Sequence, residues 1–238
     1  MTIASPPRYT SSEHASSTWQ ARLPGIVGVA YVVTWVVGLT VWPVNLALNA
    51  TAAQVAASHR AHPAAASVQY LLIEGLAALL FGTVLAYLLR TNRDRVSGHI
   101  VGPAVLSAVA VLTSLAQCVI GLLVTAAATG GHGASSGPLF EALNRLDGVK
   151  MLALAAAATW LAATRPVIPR WLRGVTVLLA LSLIASGYAY LTLSNALGWT
   201  AFVSGPLLLA WVASAGIAVT VAARRRHRTA LGPDTRIA

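Results

Sequence analysis

The strongest constraint on this chain is a series of apolar runs near or above the ~20 residues that carry a helix across about 30 Å of hydrocarbon. Six spans are expected: about Pro24 to Leu48, Ala66 to Leu89, Gly98 to Ala128, Leu146 to Thr164, Trp171 to Leu193 and Trp199 to Ala223. The runs are continuous, whereas a transmembrane β-barrel shows short alternating segments. Only 9% of residues are charged and 57% are hydrophobic, against roughly 25% charged in soluble domains. The expected fold is an all-α membrane protein, a six-transmembrane-helix bundle. Residues 1–23 read as a disordered tail, 24–223 as the membrane domain and 224–238 as a basic tail. The leading residues lack the apolar core of a cleavable signal, so the first run reads as a retained span.

Orientation follows from the basic residues. Arg8, Arg22, Arg90, Arg93, Arg95, Arg165, Arg170, Arg173 and the cluster from Arg224 onward put 13 of the 16 on one side. Arg60, Arg145 and Lys150 remain on the other. By the positive-inside rule both termini are cytoplasmic, and an even number of spans agrees with this. Net charge +10 is thus a topology signal concentrated beside apolar runs, and it does not mark a nucleic-acid surface. The expected partner is the lipid bilayer. Arginine outnumbers lysine fifteen to one and alanine is abundant, as in a high-GC bacterial genome, so a bacterial plasma membrane is expected.

Within span two, Glu74 is a carboxylate deep in apolar sequence. Such a group costs about 2.5–3.5 kcal/mol on insertion scales and should face protein or a wet cavity, with a partner. Counting from Ala66 at 1.5 Å per residue places it roughly 10 Å in, within the outer leaflet. Tyr70, at i−4, falls on the same face of a regular helix. Span four opens from the same side with Asn144, Arg145, Asp147 and Lys150; span five brings Tyr188 and Tyr190, and span one Trp42 and Asn45. These residues suggest an outer-leaflet polar pocket with Glu74 paired to Lys150 or Arg145. The candidate ligand-binding residues are Glu74, Tyr70, Asn45, Asn144, Asp147, Lys150 and Tyr188, with Glu74 the candidate catalytic group. A helix-fastening ion pair explains Glu74 equally well, and the aromatic residues also suit an interfacial belt.

Between spans one and two, Thr51 is placed to cap a short Ala-rich helix ending before Pro63. His59 and His62 are three apart there, a spacing metal ligands use; without a nearby Cys or carboxylate they read as an exposed loop pair. Thr129 to Pro138 is Gly/Ser-rich and reads as a flexible connection, followed by an amphipathic lead from Leu139 into span four. Cys118 is alone and reads as a small buried hydrophobe. No phosphate-binding loop, haem-attachment motif, zinc-protease motif or Cys-x-x-Cys occurs, and no cofactor or metal is expected. No inverted repeat of the transporter type is visible.

At Leu72-Ile-Glu-Gly-Leu-Ala-Ala and at Ile168-Pro-Arg-Trp-Leu-Arg-Gly the chain resembles the uncharacterised small multi-pass membrane proteins common in actinobacteria. Those proteins carry an acidic residue in the second span and a Pro-Arg-Trp-Leu-like opening of a late span. The resemblance implies six spans and a plasma-membrane location, and assigns no catalytic role to Glu74 or Trp171. The favoured expectation is a non-enzymatic membrane protein that binds a small or lipidic ligand in its polar pocket, or serves a membrane protein partner. The alternatives are an intramembrane enzyme on a lipid-like substrate, with Glu74 and Asp147 as acid–base groups, and a small transporter.

Overall fold

The computed structural model describes residues 11–43, 46–92, 101–163 and 170–230. Among these the chain is all helix, with no strand. The elements are α1 (Ser11–Val41), α2 (Ala52–Ala61), α3 (Pro63–Tyr70), a π-helical segment (Leu71–Leu76), α4 (Ala77–Asn92), α5 (Val101–Thr129), α6 (Gly133–Ala163), α7 (Arg170–Thr192), α8 (Asn195–Gly198) and α9 (Ala201–Ala230). Five segments are long and apolar enough to cross a membrane: Arg22–Val41, Pro63–Thr91, Val101–Thr129, Arg170–Thr192 and Asn195–Arg225. The helix α6, expected as the fourth span, is long but is not among them; Glu141, Arg145, Asp147 and Lys150 break up its apolar character as far as residue 150.

The long helices close into a ring. α1 packs on α4 and α9, α5 on α4 and α6, and α7 on α6 and α9. Small residues allow the closest approaches, as expected where dispersion and interhelical bonds, rather than water exclusion, hold helices together. A Cβ at Gly216 in α9 would fall 2.5 Å from the Pro24 carbonyl oxygen of α1. At Gly148 in α6 a Cβ would come 2.8 Å from the Gly187 carbonyl of α7. The outer surface is apolar: Val33, Leu112, Leu181, Phe202 and Ile217 are all exposed, while Ser114, Gln117, Thr176, Ser186 and Ser204 are buried. That reversal of the water-soluble pattern suits hydrocarbon surroundings.

Three departures from the sequence expectation have identifiable causes. α1 begins at Ser11, not at Pro24, and ends at Val41, not near Leu48. Pro24 sits inside it, where its ring disturbs the helical ladder, and the neighbouring Gly25 N–H donates to Thr220 Oγ1 of α9 at 2.9 Å. A hydroxyl from the next helix thereby satisfies a group beside the proline, a common accommodation in membrane helices. The expected disordered tail is therefore helical from Ser11; residues 1–10 lie outside the described residues.

The second departure is the Gly/Ser-rich stretch, which is helical from Gly133. Glycine composition alone reads as flexible, yet Gly133 and Gly137 form a bare face on which α2 rests. Cβ atoms there would come within 3.2 Å of Ala56 Cβ and 2.9 Å of Ala52 Cβ. Packing supplies the order that the local sequence lacks.

The third is His59, expected in an exposed loop and found fully buried. Its Nδ1 lies 2.9 Å from the Val55 carbonyl, and its Nε2 lies 3.1 Å from the Tyr70 hydroxyl. Trp42 packs edge-on against the imidazole. The expected cap is present: Thr51 and Gln54 form a reciprocal capping box at the start of α2. Arg60 Nε donates to the Ala128 carbonyl, tying α2 across the end of α5.

Candidate functional site

Two anchors pull the second membrane segment in different directions. Tyr70, at the end of α3, lies flat on Gly121 of α5, where a Cβ would fall 2.4 Å from the ring, and its hydroxyl engages His59. Glu74 is held by different partners, Ser114 of α5 and Lys150 of α6. In a regular α-helix residues 70 and 74 share a face. Here Leu71–Leu76 is π-helical, with the Ala77 N–H bonded to the Leu72 carbonyl five residues back. The wider turn swings Glu74 away from the Tyr70 direction and lets both anchors form. Single π turns inside α-helices occur frequently at functional sites.

Lys150 Nζ is 2.8 Å from Glu74 Oε2 and 2.6 Å from Asp147 Oδ1. The Ser114 hydroxyl donates to the same Glu74 oxygen. Asp147 and Lys150 are three residues apart on α6, so one helix presents both toward Glu74. The three side chains are only 14–15% exposed, and they line a cavity of about 200 Å³. All six helices of the ring line it. Tyr31 and Trp35 come from α1, Phe81 from α4, Leu154 from α6, Tyr190 from α7 and Leu208 from α9. The cavity lining combines this charged group with apolar and aromatic side chains.

The sequence-expected residues divide accordingly. Glu74, Asp147 and Lys150 meet. Of the two partners considered for Glu74, Lys150 is the one present; Arg145 instead bonds Glu141 and the Leu191 carbonyl on the surface. Asn144 is buried and donates to the Leu48 carbonyl, a structural link to the loop after α1. Tyr70 belongs to the His59 and Trp42 cluster. Tyr188 is 58% exposed on the outside of α7, while Tyr190 lines the cavity. Asn45 lies outside the described residues. His62 is exposed and does not join His59, and the described residues contain no group of three or more potential metal ligands.

Ser114, Tyr31 and Trp35 were not singled out as cavity residues by sequence reasoning, and Tyr190 was named beside Tyr188 but left out of the ligand-binding set; a signal existed for Tyr190 and Ser114. In α7 the inward positions Leu179, Leu183 and Ser186 continue at helical spacing to 190 and exclude 188. In α5 the buried Ser107, Ala110, Ser114, Gln117 and Gly121 form a stripe of small and polar residues, the mark of a helix–helix face.

Fold and site together define an all-helical protein of apolar exterior, built around a chamber with a carboxylate–lysine–carboxylate triad. No protein family, curated protein or solved structure matches the chain.

Proposed function

We propose that this protein is a six-span integral membrane protein that binds a small amphiphilic ligand in its central cavity. The polar group of the ligand meets Glu74, Asp147 and Lys150, and its apolar part lies along Trp35, Phe81, Leu154 and Leu208. One observation carries the reading: the triad borders a cavity walled by six helices instead of filling a dry helix–helix seam. A pair that merely fastened two helices would need no such space beside it, and binding sites between the helices of a bundle have this mixed character.

Under this proposal α6 is the remaining span. It runs beside α5 and α7 along the same bundle; Asp147 and Lys150 are largely buried, and Glu141 and Arg145 form an exposed pair in its first half. Both termini then lie in the cytoplasm of a bacterial cell; the basic residues near the ends of α1, α4, α7 and α9 support that orientation, and the resemblance to small actinobacterial membrane proteins agrees with it. Glu74 faces the outer half of the membrane.

Cysteine accessibility tests the site. In a Cys118→Ala background, Ala78→Cys places a thiol on the cavity wall and Ala77→Cys places one in the closed core. Methyl methanethiosulfonate should modify residue 78 much faster than residue 77. Equal inertness at both positions would mean a sealed, structural clamp.

A further inference from the structure

We propose that the cavity selects a compact organic cation: a protonated amine on an apolar body of about the size of a benzene ring. This rests on the ligand-binding reading above and specifies its substrate class.

Charge gives the first argument. Lys150 is shared between Glu74 and Asp147, so the formal charges of the triad leave one negative charge uncompensated. Burying an unpaired charge is costly, and a cationic guest offsets that cost. An anionic guest would add a third negative charge beside a lysine already committed to two carboxylates. A neutral guest would leave the excess in place.

Hydrogen bonding gives the second. Both bonds to Glu74 fall on Oε2, and the lysine contact to Asp147 falls on Oδ1. Among the described residues Glu74 Oε1 and Asp147 Oδ2 accept nothing, which leaves two acceptors for the N–H groups of an ammonium. The Tyr31 side chain is 4% exposed, lines the cavity, and its hydroxyl has no hydrogen-bond partner among the described residues. That hydroxyl is not one of the fully buried unpaired atoms, so it is accessible and can bond a guest.

The walls give the third. Tyr31, Trp35, Phe81 and Tyr190 put four aromatic rings on the lining that also carries the triad. Tyr31 and Phe81 stand with centroids 5.9 Å apart and planes tilted by 43°. Aromatic rings combined with carboxylates are the arrangement that recognises organic ammonium groups, since ring faces attract cations. The volume of about 200 Å³ is enough for one benzene-sized body, which fits a cavity of about 150 Å³.

Three probes of one size and different charge test the assignment. The purified full chain in nanodiscs of zwitterionic phospholipid is titrated at pH 7 with benzylammonium, benzyl alcohol and benzoate, followed by saturation-transfer NMR and thermal unfolding. Benzylammonium should bind and raise Tm, benzyl alcohol should bind more weakly by on the order of ten-fold, and benzoate should not bind. Asp147→Asn should remove most of the benzylammonium preference, bringing its affinity close to that of benzyl alcohol. If that variant does not fold, Tyr31→Phe, which keeps the ring, should weaken benzylammonium binding several-fold. Alcohol or benzoate binding as tightly as the ammonium would overturn the cation assignment and leave the ligand site standing. No binding by any probe, with Ala78→Cys reactive, would likewise overturn this inference alone; with Ala78→Cys inert, the site itself fails.

Discussion

Lys150 Nζ lies 2.8 Å from Glu74 Oε2, joining side chains 76 residues apart in sequence, and the same nitrogen lies 2.6 Å from Asp147 Oδ1. The lysine thus serves two carboxylates from one position. Its loss and the loss of either carboxylate are not equivalent.

Lys150→Met should therefore destabilise more than Glu74→Gln. The first change leaves two carboxylates without their cation, a cost of about 3–5 kcal/mol for a broken buried pair. The second keeps the Lys150–Asp147 pair and an acceptor for Ser114, and should cost about 1–2 kcal/mol. Equilibrium unfolding in mixed detergent–lipid micelles measures both. Equal costs would show that Asp147 takes no energetic part.

The α2 cap should loosen in acid. Burial pushes the His59 imidazole below its ordinary value of 6.5, with the bond to the Val55 carbonyl opposing the shift. The unfolded segment then binds more protons than the folded one below that value. The stability tied to His59 is complete above about pH 6.5 and is lost as pH falls toward the lowered folded value. Hydrogen exchange across Ala52–Ala61, corrected for intrinsic rates, should show protection dropping from pH 7 to pH 5. His59→Phe should flatten that dependence. A wild-type profile without pH dependence would contradict it.

Two glycines should respond with opposite signs to alanine. At Gly148 the new Cβ would lie 2.7 Å from Leu191 Cγ, 2.8 Å from the Gly187 oxygen and 2.9 Å from the Leu191 nitrogen. Two of those neighbours are backbone atoms and cannot rotate away, so α6 and α7 must separate, at about 1–3 kcal/mol. Gly174, also helical, has nothing within 4 Å of its Cβ position. Gly174→Ala should stabilise by up to about 1 kcal/mol through helix propensity. Thermal unfolding of the two variants compares them directly.

Thr51→Ala removes one side of the capping box and should cost about 1 kcal/mol. Because α2 is short and packs on Gly133 and Gly137, the loss should appear as faster exchange in α2, with protection in the middle of α5 unchanged. Uniform loss across both helices would show that α2 is part of the global folding unit.

Much of this protein is legible from pattern because the causes are local. Apolar runs from Arg22 onward form helices wherever about 20 consecutive residues avoid charge, and Thr51 with Gln54 announces a helix start. The partnership of Glu74 with a basic residue at the expected entrance of span four follows from its depth. The sequence did not distinguish Lys150 from Arg145, since both lie at that end and the choice depends on which face of α6 turns inward. The same ambiguity let Tyr188 stand where Tyr190 belongs. His59 was misplaced because an Ala-rich connection shows no sign of folding back onto α5 and α6.

Sequence by itself determined the helical class, the apolar exterior and the presence of one carboxylate that needed a partner; each depends on composition within a single segment. Tertiary structure alone decided which residues meet. Helix crossing at Gly148 and Gly216 sets how the ring closes, and the π turn at Leu71–Leu76 rotates Glu74 away from Tyr70 toward Lys150. A shift of one residue in helical register redirects a side chain by about 100°. The cavity is the sum of such rotations on six helices, and no single segment contains it.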